Sequence, residues 1–327
     1  AEARRASFDL LHGIPDEVAR VTEREGIACD LRKGGVLYCA ARYPEQLSGL
    51  QAYLQHLRGL GLGENDYRWL EPAELAEQLR VANPYGALFS PHCATIQPAR
   101  LVRGLARCVE AMGVELYEQS RVIDWQPGRV RTEGGSVSAD WVVPAVEGYA
   151  AELPPLGRHQ LPVQSLIVAT EPLPAEVWTE IGLERGQAFS EASRQVTYGQ
   201  RSADDRLVFG ARGGYRFGGR LRTDFNLTED ERELRRYLFG ELFPQLRDVR
   251  LTHAWGGTLA VTMNRMPCFI RPAPNCLSAS GFSGHGVALA TLSGKLMAQA
   301  VQGQAQGFDT MAALPSRPFP GGGMFRW

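Results

Sequence analysis

Apolar residues recur at helical spacing in several segments of this chain. The clearest segment is 98–113, which has Pro98 near its start, Gly113 at its end and an apolar stripe formed by Leu101, Leu105, Val109 and Met112. Similar spacing predicts helices over 44–59, 72–79 and 288–298, and a bent or divided helix over 4–26. Thr228 and Glu231 form a capping box that predicts the start of one more helix.

Compact apolar or alternating runs predict the strands. They lie at 36–40, 114–117, 121–125, 130–132, 141–145, 161–170, 195–199, 206–210, 251–255 and 276–277. The turns Pro127-Gly128 and Gly134-Gly135 separate the short runs between 114 and 145, which predicts a small meander. The strands after Pro154-Pro155 have long or polar connections, which indicates a second domain with an antiparallel sheet.

Length and composition narrow the functional classes. The chain has 327 residues, enough for two domains, and its 35 Lys and Arg nearly balance its 36 Asp and Glu. No net positive field attracts nucleic acid, and no apolar run is long enough for a membrane helix, so we expect neither partner and a cytoplasmic location. The six cysteines show no metal-binding spacing, so we expect reduced thiols and no metal site. The chain begins without Met inside a helical pattern, and we expect it to be part of a longer protein.

A glycine-rich stretch from Ser278 to Val287 separates a short apolar run from the Ala- and Leu-rich segment 288–298. Glycines at 281, 284 and 286 allow positive φ or close approach of a ligand, and amides at a helix start carry partial positive charge. An electron-rich ligand edge suits such a site. An ordinary turn before a core helix explains the stretch equally well.

Six segments, in this order, resemble the flavin-dependent amine and amino-acid oxidases that include glycine oxidase and sarcosine oxidase. The likeness is greatest to the branch that acts on gamma-glutamylputrescine. The segments are 26–30 with Gly34-Gly35, 161–163 with 169–174, 243–246, 254–257, 264–267 and 281–287. The resemblance implies a mixed α/β fold with a flavin-binding-type domain (1–30, 92–155, 265–310) and an antiparallel-sheet substrate domain (31–91, 156–264).

The resemblance also implies FAD as cofactor and a set of contacts to it. The turn residues Gly281, Phe282, Ser283, Gly284, His285, Gly286 and Val287 would lie under the flavin ring. Val122 would contact the adenosine end, Ala145 belongs to the segment 142–148 near the pyrophosphate, and Gly257 is a further cofactor contact. His285 is the candidate catalytic residue because it would face flavin or substrate. A cap for the following helix is the alternative role of His285.

Two features depart from the family pattern. The family's unit of strand, GxGxxG turn and helix, with its ribose-binding acidic residue, is missing from this sequence. The glycine-rich segment from Gly59 to Gly63 does not replace it, because that segment follows a predicted helix and not a strand. The segment 142–148 carries Pro144 and Glu147, and a carboxylate beside pyrophosphate is unfavourable. We therefore expect this chain to bind FAD weakly or not at all.

The resemblance implies oxidation of a small-molecule amine, gamma-glutamylputrescine-like or related, by hydride transfer to flavin. Leu259 and Ala288 stand where carboxylate-binding cations occur in relatives, so we expect no carboxylate recognition at those points. Tyr198, Arg212, Tyr215 and Arg216 either line a substrate pocket or are exposed strand residues, and Cys268 is a buried thiol rather than a covalent flavin link. The alternative is a non-catalytic member, or a subunit that needs another chain. A homo- or hetero-oligomer is compatible with either function.

Overall fold

The computed structural model describes residues 8–152, 156–213 and 221–319. Its strands are β1 (Val36–Ala40), β2 (Arg68–Leu70), β3 (Gly86–Ser90), β4 (Val122–Gln126), β5 (Arg129–Thr132), β6 (Ser136–Ser138), β7 (Leu161–Thr170), β8 (Ala188–Glu191), β9 (Thr197–Arg201), β10 (Leu207–Arg212), β11 (Leu251–Val261), β12 (Cys268–Ala273) and β13 (Cys276–Ser280). Its α-helices are α1 (Ile14–Arg24), α2 (Glu45–Gly59), α3 (Pro72–Ala76), α4 (Pro98–Ala111), α5 (Ala175–Ile181), α6 (Glu229–Leu242), α7 (Gly286–Val301) and α8 (Gln306–Ala312). Residues 8–12 are also helical.

An eight-stranded sheet dominates the mixed α/β fold, with the strand order β11-β7-β10-β9-β8-β1-β3-β2. The neighbouring strands are antiparallel except β1 and β8, which pair in parallel, so the expected antiparallel sheet is in fact mixed. Smaller sheets are formed by β12 with β13 and by β4, β5 and β6. The sheet thus joins strands from 36–90 to strands from 161–261.

The largest core cluster covers this sheet. Leu166 and Val168 of β7 are fully buried in it with Phe239 of α6 and Trp178 of α5. Phe209 contacts the edge of Phe239 at a ring separation of 5.8 Å, an arrangement that aromatic quadrupoles favour. A second cluster packs α7 against α1, α8 and β13 through the buried side chains Ile14, Val18, Leu277, Leu292, Leu296 and Phe308. The division of the chain into a flavin-binding-type domain and a substrate domain stays a prediction.

Two predicted strands are wrong. Residues 114–117 form no strand, and the exposed side chains of Val114, Leu116 and Tyr117 explain why, since no neighbouring chain buries them. Of 141–145, only Val142 forms an isolated parallel bridge, with Cys276. The strand predicted at 251–255 instead continues to Val261 through Gly256 and Gly257. No helix within the described ranges is both long and apolar enough to span a membrane.

Candidate functional site

The glycine-rich turn connects β13 to α7 with a run of left-handed backbone. Gly281, Ser283 and Gly284 have φ values of 70°, 52° and 103°. A Cβ on Gly281 would lie 2.4 Å from Thr262 Cγ2, so both the backbone angle and the packing require glycine there. Gly286 does not have positive φ, and a Cβ on it would meet nothing within 4 Å. Glycine at 286 is therefore needed neither by the turn nor by neighbouring protein atoms.

The backbone amides of this turn fall into two groups. Ser283 N donates to Ala260 O at 3.0 Å, and His285 N donates to Phe282 O at 2.9 Å. The amides of Gly284, Gly286, Val287 and Ala288 donate to no acceptor in the part of the chain that the structure describes. They surround the start of the 16-residue helix α7, where the helix dipole adds partial positive charge.

Glu147 anchors the other side of the turn. Its carboxylate accepts hydrogen bonds from Gly281 N at 3.2 Å and from Phe282 N at 3.0 Å. Burial raises the pKa of this carboxyl group, against the opposing effect of the amide donors. Glu147 itself has φ 42°, an uncommon angle for a residue with a side chain. The carboxylate thus contacts the predicted flavin-binding turn, a contact that its position in the sequence does not reveal.

The segment around Ala145 runs beside β13. Val142 N donates to Asn275 O at 3.1 Å, and Leu277 N donates to Val142 O at 3.2 Å. Farther along, Ser278 Oγ donates to Pro144 O at 2.7 Å. Ala145, exposed, follows this contact and precedes Glu147. The structure therefore brings the predicted segment 142–148 to the turn.

The two other predicted cofactor contacts lie on different sheets. Gly257 is part of β11, whose end reaches the turn through the Val261–Phe282 bridge, and a Cβ on Gly257 would meet nothing within 4 Å. Val122 begins β4 of the small meander sheet and is exposed. No hydrogen bond or strand pairing among the described residues joins Val122 to the turn.

Arg212, the last residue of β10, contacts the turn directly. Its Nη2 donates to Ser283 O at 2.6 Å, and a Cβ on Gly284 would lie 2.6 Å from the same nitrogen. Tyr198 lies on the neighbouring strand β9, with its hydroxyl 2.8 Å from Ser165 Oγ. Burial raises the pKa of Tyr198. Tyr198 and Arg212 are both half-buried, while Tyr215 and Arg216 lie outside the described residues.

His285 occupies the N-cap position of α7, but its side chain makes no capping hydrogen bond. His285 is exposed at the turn, and its imidazole also hydrogen-bonds to the backbone of Phe282. Desolvation lowers the pKa of His285 below 6.5; the hydrogen bond to Phe282 opposes this shift, and the positive charge of Arg212 adds to it. A neutral imidazole that can accept a proton is therefore favoured at neutral pH.

Cys268 lies behind the turn as a buried thiol. Its Sγ is 3.2 Å from Ser316 Oγ, which in turn is 3.0 Å from His159 Nδ1. Burial raises the pKa of Cys268, so the thiol form is favoured. A separate groove of about 420 Å³ between α1, α4 and α7 is lined by Arg20, Arg24 and Lys295 among others, and none of its lining residues belongs to the turn.

Comparison with known proteins places these features in one family. The family model for FAD-dependent oxidoreductases, DAO, matches residues 2–300. A probable oxidoreductase OrdL from Rhizobium meliloti is 36% identical over 236 residues, which cover 71% of this chain and 53% of that protein. Gamma-glutamylputrescine oxidoreductase from Escherichia coli is 30% identical over 312 residues, 93% of this chain and 70% of that protein.

A sarcosine oxidase subunit beta from Rhodobacter capsulatus is 23% identical over 283 residues, which cover 81% of this chain and 64% of that protein. Among solved structures, glycine oxidase from Geobacillus kaustophilus superimposes with a TM-score of 0.75 at 21% identity. That superposition covers 91% of this chain and 78% of the other. The match to OrdL thus spans about half the length of that relative.

Proposed function

Because this chain belongs to the DAO family of FAD-dependent oxidoreductases, we propose that the turn from Gly281 to Val287 binds the flavin of FAD in the oxidation of an amine. The single observation that carries this proposal is a group of four amides around the start of α7 that donate to no acceptor among the described residues. Such amides match the electron-rich pyrimidine edge of a flavin, and the helix dipole favours the negative charge of its reduced form.

The remaining contacts of the turn fit this role. Glu147 holds the amides of Gly281 and Phe282, which leaves the later amides to face a ligand. Arg212 donates a hydrogen bond to the carbonyl of Ser283. The open space beside Gly286 allows a flat ring to approach the backbone. These residues fit the flavin end of FAD.

The bound flavin would supply the hydride acceptor for the substrate C–H bond. Within the chain, the neutral imidazole of His285 can accept a proton from the substrate ammonium group, because hydride leaves from a neutral amine. The amides of Gly284 and Gly286 and the charge of Arg212 stabilise negative charge that develops next to the turn.

For the substrate we propose an amine of the gamma-glutamylputrescine type, the substrate named for the Escherichia coli relative. Leu259 and Ala288 supply no cation for a carboxylate beside the reacting carbon. Arg212 is the cation nearest to the turn in the part described, and it already donates to Ser283 O. An amine without a neighbouring carboxylate therefore fits this site better than an α-amino acid.

FAD binding by the 327-residue chain is weak in this proposal. Its sequence contains no strand, GxGxxG turn and helix unit to hold the pyrophosphate and ribose. The segment 142–148, which reaches the turn, brings the carboxylate of Glu147 instead. Contacts to the flavin ring then provide most of the binding free energy of FAD.

The second candidate function is that of a subunit whose flavin site is completed by another chain. The resemblance to a sarcosine oxidase subunit beta favours it, since that relative is named as one subunit of an assembly. The same four amides would then face a flavin held partly by the partner, and purification with a second polypeptide would distinguish this candidate from the first.

Titration of the purified chain with FAD, followed by flavin fluorescence, tests the proposal. We expect saturable binding at micromolar FAD or above, and loss of that binding in Gly286→Val. A Cβ added at 286 meets nothing within 4 Å, so a side chain there extends into the space that a ligand against the backbone would occupy. Gly294→Val is the matched control on the same helix, since an added Cβ at Gly294 also has nothing within 4 Å.

The outcomes separate the parts of the proposal. Saturation at nanomolar FAD would show that a phosphate-binding site exists and that weak binding is wrong. Equal affinity of the wild type and Gly286→Val would remove the turn from the flavin site. No binding to the isolated chain, but binding after addition of a co-purifying partner, would support the second candidate function.

A further inference from the structure

Two imidazoles and one carboxylate converge far from the turn. His92 Nε2 lies 3.2 Å from Asp66 Oδ1, and His12 Nδ1 lies 3.6 Å from the same oxygen. One potential ligand atom from each residue lies within 4.8 Å of the other two. The three side chains are 13%, 13% and 26% exposed for His12, Asp66 and His92, so the cluster is largely enclosed but open at His92.

Three separate parts of the chain hold this cluster in place. Asp66 ends a tight turn in which its Oδ2 accepts a hydrogen bond from Gly63 N at 3.0 Å. Arg58 braces the same turn by donating to Leu62 O at 2.8 Å and to Tyr67 O at 2.7 Å. His12 comes from the helical residues 8–12, and its ring contacts the edge of Tyr67.

The carboxylate of Asp66 is held in an orientation that suits a metal ligand. A backbone amide fixes one carboxylate oxygen, and the other oxygen faces both imidazoles. Metal-binding side chains are commonly held by such outer hydrogen bonds. Two neutral imidazoles and one carboxylate also form a donor set that first-row transition metals, Zn²⁺ in particular, prefer.

The distances approach those of a metal site. Metal–ligand bonds of about 2.0–2.1 Å at a tetrahedral ion place neighbouring ligand atoms roughly 3.3–3.4 Å apart. Both imidazole-to-carboxylate separations, 3.2 and 3.6 Å, are close to that spacing. The rings of His12 and His92 are stacked at 3.8 Å and nearly parallel, so binding requires one ring to turn. His92 is the more exposed of the two rings.

The geometry points to a divalent transition-metal site formed by His12, Asp66 and His92, with a fourth coordination position open to water. The single negative charge of Asp66 partly balances the ion, and the enclosed position strengthens that attraction. Binding would connect the helical residues 8–12, the turn at 63–66 and the residues after β3. Local spacing does not reveal the site, because its ligands are 54 and 26 residues apart, at positions 12, 66 and 92.

Calorimetric titration of the chelator-treated chain with ZnCl₂, under a phosphine reductant that keeps the cysteines as thiols, tests this proposal. We expect one Zn²⁺ ion per chain and an increase in Tm on binding. Asp66→Asn and His92→Gln should each weaken Zn²⁺ at least about 100-fold, since loss of outer contacts alone costs 10–100-fold. His56→Gln is the control, because His56 is exposed on α2 and lies outside the cluster.

Co²⁺ as a second probe distinguishes this cluster from the cysteines. We expect d–d absorption without a thiolate charge-transfer band. This spectrum is recorded on the wild-type chain, so it tests the site even if a variant does not fold. Equal Zn²⁺ affinity in wild type, Asp66→Asn and His92→Gln would overturn the proposal. A thiolate band with Co²⁺, or no bound Zn²⁺ at millimolar concentration, would also overturn it. None of these measurements involves flavin, so they are independent of the proposed function.

Discussion

The role of His285 in the turn can be tested by a single substitution. Its side chain is exposed and makes no capping bond, so His285→Asn should change the free energy of unfolding by less than about 1 kcal/mol. In the flavin-loaded protein the same change should shift the absorbance bands and slow reduction by amine, because a neutral proton acceptor is lost. Stopped-flow absorbance measures both. An unchanged spectrum and rate would make His285 an ordinary surface residue.

Glu147 provides a prediction about pH. Burial raises its pKa above 4.5, so the folded chain binds a proton at Glu147 more readily than the unfolded chain does. This contribution to stability is present below pH 4.5 and is lost as the pH rises through the raised pKa. Glu147→Gln cannot titrate and keeps one acceptor oxygen for the two amides, so its stability relative to the wild type should rise as the pH rises through that pKa.

Glu147→Ala is the companion to that variant. It leaves the amides of Gly281 and Phe282 without an acceptor and should cost about 1–3 kcal/mol at every pH. Urea unfolding of the three proteins across the pH range measures these differences. A difference between Glu147→Gln and the wild type that stays constant with pH would contradict the raised pKa.

At the scale of elements, glycine is required in the turn before α7 but is replaceable within α7 itself. Gly281→Ala should destabilise the fold by at least about 1 kcal/mol, because φ is 70° and the new Cβ would lie 2.4 Å from Thr262 Cγ2. Gly294→Ala, in the exposed interior of the same helix, should stabilise it by about 0.5–1 kcal/mol. Thermal and urea unfolding compare the pair. The same sign of change in both variants would disprove this assignment.

Strand β11 shows why glycine alone does not mark a break. Gly256 and Gly257 pair in register with Leu166 and Ser165 of β7. A Cβ on Gly256 would lie 2.5 Å from Leu166 Cδ2 and 2.8 Å from Phe225 Cδ1, so glycine there admits neighbouring side chains against the sheet. Local turn propensity is overridden by pairing with β7, which is continuous from His253 to Val261.

At the scale of the whole molecule, the charges around the turn predict the substrate class. The FAD-loaded protein should oxidise a mono-acylated diamine faster than glycine or sarcosine, because Leu259 and Ala288 leave a buried carboxylate without a cation there. A peroxide-release assay with each substrate measures the preference. Faster turnover of glycine would contradict it, and loss of that turnover in Arg212→Gln would identify Arg212 as the carboxylate partner.

The sequence by itself determined the features that depend on neighbours along the chain. Helical spacing located α2, α4 and α7, and the Thr228–Glu231 capping box is present at the start of α6. The left-handed angles at Gly281 and Gly284 follow from the same local reasoning. The resemblance correctly predicted the family and the mixed α/β fold, because six motifs occur in the order typical of that family.

Only the tertiary structure decided which distant groups meet. Glu147 contacts Gly281 and Phe282 across more than 130 residues, and Arg212 reaches Ser283 from the end of a different strand. The cluster at His12, Asp66 and His92 likewise joins three elements. Helical and strand periodicity report which face of an element is buried, but the partner on that face is chosen by packing of the whole chain. Such contacts therefore leave no spacing signal in the sequence.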